Sequence, residues 1–388
     1  MRMRLKYAAP AREERLQTKP AEALYVALEN VESWSGRLLL DHPMDVVEGG
    51  VTRFRTGDVL VGKLRPYLAK VARPTFDGVC STEFVVLRPT SRLLAEFLQY
   101  QLLTAEFIGE MSSWTFGTKM PRVSPERMLK TEVMFPSIEE QWAIVGYLDK
   151  ETSRIDSLIN YKNQLLDACE RFFDGLIEHL IQPRDRPCER LKQVSGGITV
   201  GVVVNPSTYV EEQGEVLFFR GVDISRFSVN VETAQRISVE SSQRLHKSRL
   251  NAGDIVSIRV GDPGISAVVP GEADGSNCAS LLITRKGARV DSRYLCYVFN
   301  SPYGRSQWRA LANGAAQLQV NVSDAVDFRV PLPSTVSQRE IVNRLDAEWR
   351  SIRALKAAVR SQTDLLREQR QTLITAAITG QIDVRGVA

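Results

Sequence analysis

Phe135-Pro-Ser-Ile-Glu-Glu-Gln141 returns 197 positions later as Leu332-Pro-Ser-Thr-Val-Ser-Gln338. The correspondence runs without a gap from Gly117 to Ile181 and from Gly314 to Ile378. Leu148-Asp149 returns as Leu345-Asp346, Ile155 and Leu158 as Ile352 and Leu355, and Leu176-Ile177 as Leu373-Ile374. A period this long marks a duplicated domain rather than a solenoid of short repeats. One task is therefore expected at two places.

Working backward, the repeat takes in Arg55-Thr-Gly-Asp-Val-Leu-Val and Asn251-Ala-Gly-Asp-Ile-Val-Ser, each a Gly-Asp turn before a β-branched run. Leu5-Lys6 likewise parallels Leu191-Lys192. Short strands are expected at Asp58–Val61, Phe84–Leu87, Ile255–Val260 and Leu281–Thr284, each bounded by Gly, Pro or Asp. Helical spacing over Leu93–Ile108 and Tyr294–Leu311 interrupts them. Each unit thus opens with a mixed α/β globule.

Working forward, Leu148, Ile155, Ile159, Leu166, Phe173, Leu176 and Leu180 form a near-heptad seam, broken by Thr152 and Lys162. Ser137 with Glu140 is a capping box after Pro136, and Pro183 stops the helix. Roughly 44 residues at about 1.5 Å each make a rod of about 65 Å. The copy uses Leu345, Ile352, Leu355, Val359, Leu366 and Leu373. It starts near Ser334 or Ser337 and ends at Gly380, a C′ residue. The natural partner for each rod is the other, the alternative being two independent coiled-coil dimerisation arms.

The expected class is α+β: two mixed α/β globules joined by two long antiparallel helices, a pseudo-twofold internal repeat. The boundaries read 1–136 for the first globule, 137–182 for the first helix and 183–190 for a polar linker. The second globule follows at 191–333, its helix at 334–380 and a tail at 381–388.

With 388 residues, 43% hydrophobic and 25% charged, the chain has room for two or three soluble domains. A net charge of +4 permits an anionic partner without demanding one. Five scattered cysteines form no CxxC pair, so reduced thiols in the cytoplasm are the simplest reading. No run is long and apolar enough for a signal peptide or a membrane span.

Little catalytic chemistry is legible. The three histidines, His42, His179 and His246, do not pair at metal-ligand spacing, and no Walker loop or GxGxxG occurs. Asn205-Pro-Ser-Thr-Tyr209 approaches the Asn-Pro-Pro-Tyr box of adenine methyltransferases. Its aromatic is one residue too far, and no good glycine-rich cofactor loop precedes it, so it reads as a turn. The chain is expected to be non-catalytic, with no cofactor or metal of its own.

What recurs is cationic, amide and aromatic side chains in loops. The first globule offers Lys63, Arg65, Tyr67, Lys70 and Arg73, then Thr115, Thr118, Lys119 and Arg122. The second offers Arg220, Arg226, Arg259, Asn277, Gln317, Gln319 and Asn321. Lys and Arg suit phosphate oxygens, and Arg also the guanine edge; hydroxyls and amides suit either. Gln317 and Gln319 fall where Met120 and Arg122 stand in the first copy. A scaffold kept while its reading residues change is what two domains reading different DNA sequences would need.

At these residues the chain closely resembles the specificity subunit of type I restriction–modification systems, over essentially its whole length. The motifs are Phe135-Pro-Ser-Ile-Glu-Glu-Gln141 with Ile144 and Leu148-Asp149, their copy, and the tail from Leu373 to Arg385. Leu64-Arg-Pro-Tyr67 and Gly117-Thr-Lys119 also resemble the family's loops, whereas the second globule departs, with Val260-Gly-Asp-Pro263.

The resemblance implies recognition of an asymmetric bipartite site on double-stranded DNA, two short halves around a nonspecific spacer, with the rods as a ruler. It implies assembly with two modification (methyltransferase) subunits that bind S-adenosylmethionine and methylate adenine. It also implies restriction subunits that use ATP and Mg to translocate and cleave DNA. The rivals are the specificity partner of a fused restriction–methylation enzyme, a coiled-coil adaptor that holds proteins without reading DNA, and a standalone methyltransferase.

Overall fold

The computed structural model describes residues 1–39, 49–181, 186–314 and 317–384. His42, residues 183–185 of the expected linker and the tail beyond 384 lie outside the described residues. The fold is α+β. Its main helices are α1 (Ala95–Leu102), α2 (Ala105–Ser113), α3 (Ile138–Ile181), α4 (Ser292–Asn300), α5 (Pro302–Leu311) and α6 (Thr335–Ile378).

The chain packs into two compact units. One comprises Met1–Asn163 and Val359–Ala388, the other Gln164–Ala358. Each long helix therefore gives one half to each unit.

The first unit holds an antiparallel four-stranded sheet in the order Ala11–Arg12, Phe84–Leu87, Val59–Gly62, Val71–Ala72. A second sheet runs Arg15–Leu16, Val51–Phe54, Gly78–Ser81, Tyr25–Val26, the last pairing parallel. Arg2–Arg4 pairs with Glu132–Met134 to close the globule where α3 begins. Leu5, Phe97 and Phe107 share a core with Ile144, Val145 and Leu148 of α3 and Ile374, Ala377 and Ile378 of α6. Each fully buried Leu, Ile or Phe contributes about 1.5–3 kcal/mol. The helix halves are thus part of the globule's own core, which does not fit free dimerisation arms. They run antiparallel: Asp156 pairs with Arg370 at 3.0 Å, and Lys162 with Gln362.

The second unit repeats the plan. Its four-stranded sheet runs Ile198–Val200, Leu281–Thr284, Ile255–Ile258, Ser266–Val268. The neighbouring sheet is Gln235–Ile237, Val216–Phe219, Asn277–Cys278, again with a parallel last pair. Cys188–Arg190 with Arg329–Pro331 is the closing pair. Phe173, Ile177 and Ile181 of α3 meet Ile341, Val342, Leu345 and Ile352 of α6 in one core. Phe173 stacks on Trp349 at 4.9 Å, and Glu170 pairs with Lys356, so here too the helices run antiparallel.

Three local expectations need correction. The helical stretch Leu93–Ile108 is two helices, because the Thr104 hydroxyl caps α2 by accepting the Phe107 N–H at 3.3 Å. The copy breaks at the matching Ser301, whose hydroxyl accepts the Gly304 N–H at 3.0 Å, and Pro302 cannot donate to a preceding turn. Leu355, expected in the second seam, is 41% exposed, as is its counterpart Leu158 at 46%. Leu158 sits one residue, about 100°, around the helix from Ile159, and so off the buried stripe.

The expected caps form. The Ser137 hydroxyl accepts the Glu140 N–H at 3.2 Å, and the Glu140 carboxylate accepts the Ser137 N–H at 3.1 Å. Before α6 the cap is Ser334, which accepts the Ser337 N–H at 3.2 Å. Gly380, at φ +75°, turns the chain after α6.

Candidate nucleic-acid interface

Two loops meet in the first unit. One follows strand Val59–Gly62, and the other follows α2. The second is a hairpin in which Phe116 and Arg122 exchange both backbone hydrogen bonds at 3.0 Å, turned by Gly117 at φ +89°. The first is stitched to it: the Arg65 N–H donates to the Pro121 carbonyl at 2.7 Å, and the Val123 N–H to the Lys63 carbonyl at 3.0 Å. Every one of these bonds is between backbone groups, so the side chains are left to vary.

They vary in the second unit while the stitching stays. Asn313 and Gln319 exchange both backbone bonds at 2.8 Å, after which the Val320 N–H donates to the Arg259 carbonyl and the Gly261 N–H to the Leu318 carbonyl, both at 3.0 Å. Gly314, at φ +112°, matches Gly117. Lys63 is thereby replaced by Arg259, Arg65 by Gly261, Phe116 by Asn313, Met120 by Gln317, Pro121 by Leu318 and Arg122 by Gln319. The first loop pair is cationic and apolar, the second rich in amides.

Of the residues singled out in the sequence, Lys63, Arg65, Tyr67, Thr115, Thr118, Lys119 and Arg122 lie on or beside the first loop pair. Arg65, Thr118 and Lys119 are exposed, and Tyr67 is half-exposed. The Thr115 hydroxyl is turned back onto the Ser112 carbonyl at 2.9 Å. Arg122 is held in a two-pronged pair by Glu83, at 3.1 and 3.0 Å, which raises its pKa further and fixes its plane. Arg259, Gln317, Gln319 and Asn321 lie on the second pair, where the Gln319 amide donates to the Asn321 side chain at 3.1 Å.

The remaining candidates are engaged elsewhere. The Lys70 ammonium donates to the Val31 carbonyl, and burial pulls its pKa down. Arg73 pairs with Glu96 at 3.1 Å and Arg220 with Asp223 at 3.4 Å. Arg226 reaches Glu170, Asp174 and the Asn300 carbonyl, with its guanidinium over the Phe227 ring. Asn277 is wholly buried, accepting from Ser242 at 2.6 Å and donating to the Ser248 hydroxyl and the Leu245 carbonyl. Each of these side chains holds its own unit together.

Phe116 and Met120, in the same loop but outside the candidate set, are 63% and 48% exposed beside Lys119, and Leu318 is 39% exposed in the second pair. The available signal was their place beside Gly117 and Gly314 at the repeat's offset. Among the described residues no group of three or more His, Cys, Asp or Glu is placed to hold a metal ion. No described helix is long and apolar enough to cross a membrane.

A family profile described as "Type I restriction modification DNA specificity domain" matches residues 52–167, which include the first loop pair and much of α3. The chain is 29% identical over 147 residues to the type I restriction enzyme EcoDI specificity subunit of Escherichia coli, a match spanning 37% of this chain and 32% of that protein. It is 22% identical over 335 residues to the MjaVIII specificity subunit of Methanocaldococcus jannaschii, spanning 80% of this chain and 76% of the other. Its fold matches a chain solved in work on complex assembly and conformational transition of the type I R-M system. That match has a TM-score of 0.72 and 20% identity, and covers 98% of both chains.

Proposed function

We propose that this chain, which belongs to the specificity-subunit family of type I restriction–modification systems, reads DNA with its two loop pairs, one for each half of a bipartite site. The observation that carries this reading is the duplicated backbone stitching with its changed side chains. Binding a common ligand would keep the side chains; reading two different base sequences on one polymer requires them to differ. Lys63, Lys119 and Arg259 suit phosphate, supplying affinity that falls with salt. Arg65, Gln317, Gln319 and Asn321, with apolar Phe116 and Met120, suit base edges and the thymine methyl.

Catalysis then belongs to the partners. Two modification subunits would bring S-adenosylmethionine and methylate adenine, and restriction subunits would bring ATP and Mg, while this chain holds none of these. The duplicated long helices support two copies of one partner, since each unit carries a related helix pair. The setting would be the cytoplasm, where the DNA is.

The test is duplex binding by the chain co-expressed with its modification subunits. The reading expects selection of a bipartite sequence from a random pool, with affinity falling as salt rises. No duplex binding at low salt, or no sequence preference at moderate salt, contradicts it.

A further inference from the structure

Arg65 stands in the left-handed region, at φ +49° and ψ +60°. Residues other than glycine pay for that conformation because Cβ crowds the following carbonyl. The proline after it, Pro66, pushes the preceding residue toward extended backbone instead. Two preferences are therefore overridden at one position. The second unit shows what the backbone alone wants there: the matching residue is Gly261, at φ +94°, and its N–H makes the same bond to the opposite loop.

A glycine would adopt this conformation at Arg65 without the Cβ penalty. The side chain does not offset the cost internally, since it is exposed and among the described residues its one hydrogen bond is a long one, 3.5 Å to the Lys119 carbonyl. Its surroundings are apolar as well as cationic, with Tyr67, Phe116 and Met120 all substantially exposed. Phosphate contact tolerates a flexible lysine, which Lys63 and Lys119 supply. A planar fork projecting beside apolar side chains suits a base edge, whose two acceptors must be met together.

We infer that Arg65 is a specificity-determining residue of the first unit, held in a strained backbone so that its guanidinium meets a guanine edge. The second unit has no side chain at this position and reads by other means. The inference rests on the DNA-reading function proposed above.

Two measurements test it. The first is thermal unfolding of Arg65→Gly against Arg65→Ala. At ordinary positions alanine is the more stable; here glycine should melt higher, and the reverse order would remove the strain. The second is binding of the chain with its modification subunits to duplexes altered one base pair at a time. The parent should lose about ten- to hundred-fold when one G·C pair of one half-site is changed. Arg65→Gly should bind that altered duplex as well as the original while keeping its preferences at every other pair. A uniform loss across the panel, with the salt slope falling by about one, would make Arg65 a phosphate contact and overturn the inference. Unchanged discrimination in the variant would overturn it too. A parent with no sequence preference at all would fail the functional reading itself, and the inference with it.

Discussion

Gln141 holds the start of α1 in place: its side-chain oxygen accepts the Leu94 N–H at 2.8 Å. Its amide nitrogen donates to the Arg92 and Pro136 carbonyls at 2.9 and 3.1 Å. Gln338 does the same, accepting the Asp291 N–H at 2.8 Å and donating to the Arg289 and Pro333 carbonyls. Both side chains are buried. The most recognisable residue of the repeat is therefore a clamp between globule and long helix. Gln141→Ala should destabilise the first unit, at about 1–3 kcal/mol for each buried group orphaned. Gln338→Ala should cost the second unit a similar amount. Urea denaturation followed by fluorescence checks both, and an unshifted midpoint would show the clamp to be dispensable.

Arg226 looks like a DNA contact in the sequence and is a clamp in the structure, joining the turn before Phe227 to Glu170, Asp174 and the Asn300 carbonyl. Arg226→Ala should lower the melting temperature, and Arg226→Lys should rescue it poorly, because one ammonium cannot reproduce a planar fork meeting three acceptors. The variant that remains folded should bind duplex DNA as the parent does. A selective loss of binding with unchanged melting would return Arg226 to the interface.

The thiols divide by burial. Burial pushes Cys80, Cys278 and Cys296 up to about 12, whereas Cys169 and Cys188 are only half-buried. At pH 8 roughly one in ten thousand of the buried groups is thiolate, the reactive form. The folded protein should therefore release at most two equivalents of thiol to Ellman's reagent, and all five after denaturation. Rapid reaction of a third thiol in the native state would contradict the packing of these cores.

Helix length is proposed to set the spacing of the two half-sites. Four residues added to both α3 and α6 lengthen each by about 6 Å. At about 3.4 Å per base pair the preferred spacer should grow by one or two pairs. Methylation mapping reads the spacer directly, and an unaltered one removes the helices from that role.

The sequence carried the fold where local chemistry decides it. The Ser137–Glu140 box marked the start of α3, and turn residues bounded Phe84–Leu87 and Leu281–Thr284, which form as expected. The break at Thr104 was hidden because apolar spacing continues through it and a hydroxyl takes the first N–H of the next helix, whereas the break at Ser301 carried a readable signal in Pro302. The candidate residues divide by where the fold puts them. Lys119 and Gln319 are where the repeat's offset places them. Asn277 and Arg226 are engaged within the second unit, and that was not legible because their partners, Ser242 and Glu170, lie 35 and 56 residues away in sequence. Arg65's backbone conformation was not readable, since a residue before proline is expected to be extended.

The central claim is that each loop pair reads one half-site independently. Replacing residues 1–136 with those of another family member, and mapping methylated adenines made by the complex with its modification subunits, tests it most directly. The account predicts a new sequence in one half-site, with the other half and the spacer unchanged. Alteration of both halves, or of neither, would contradict it.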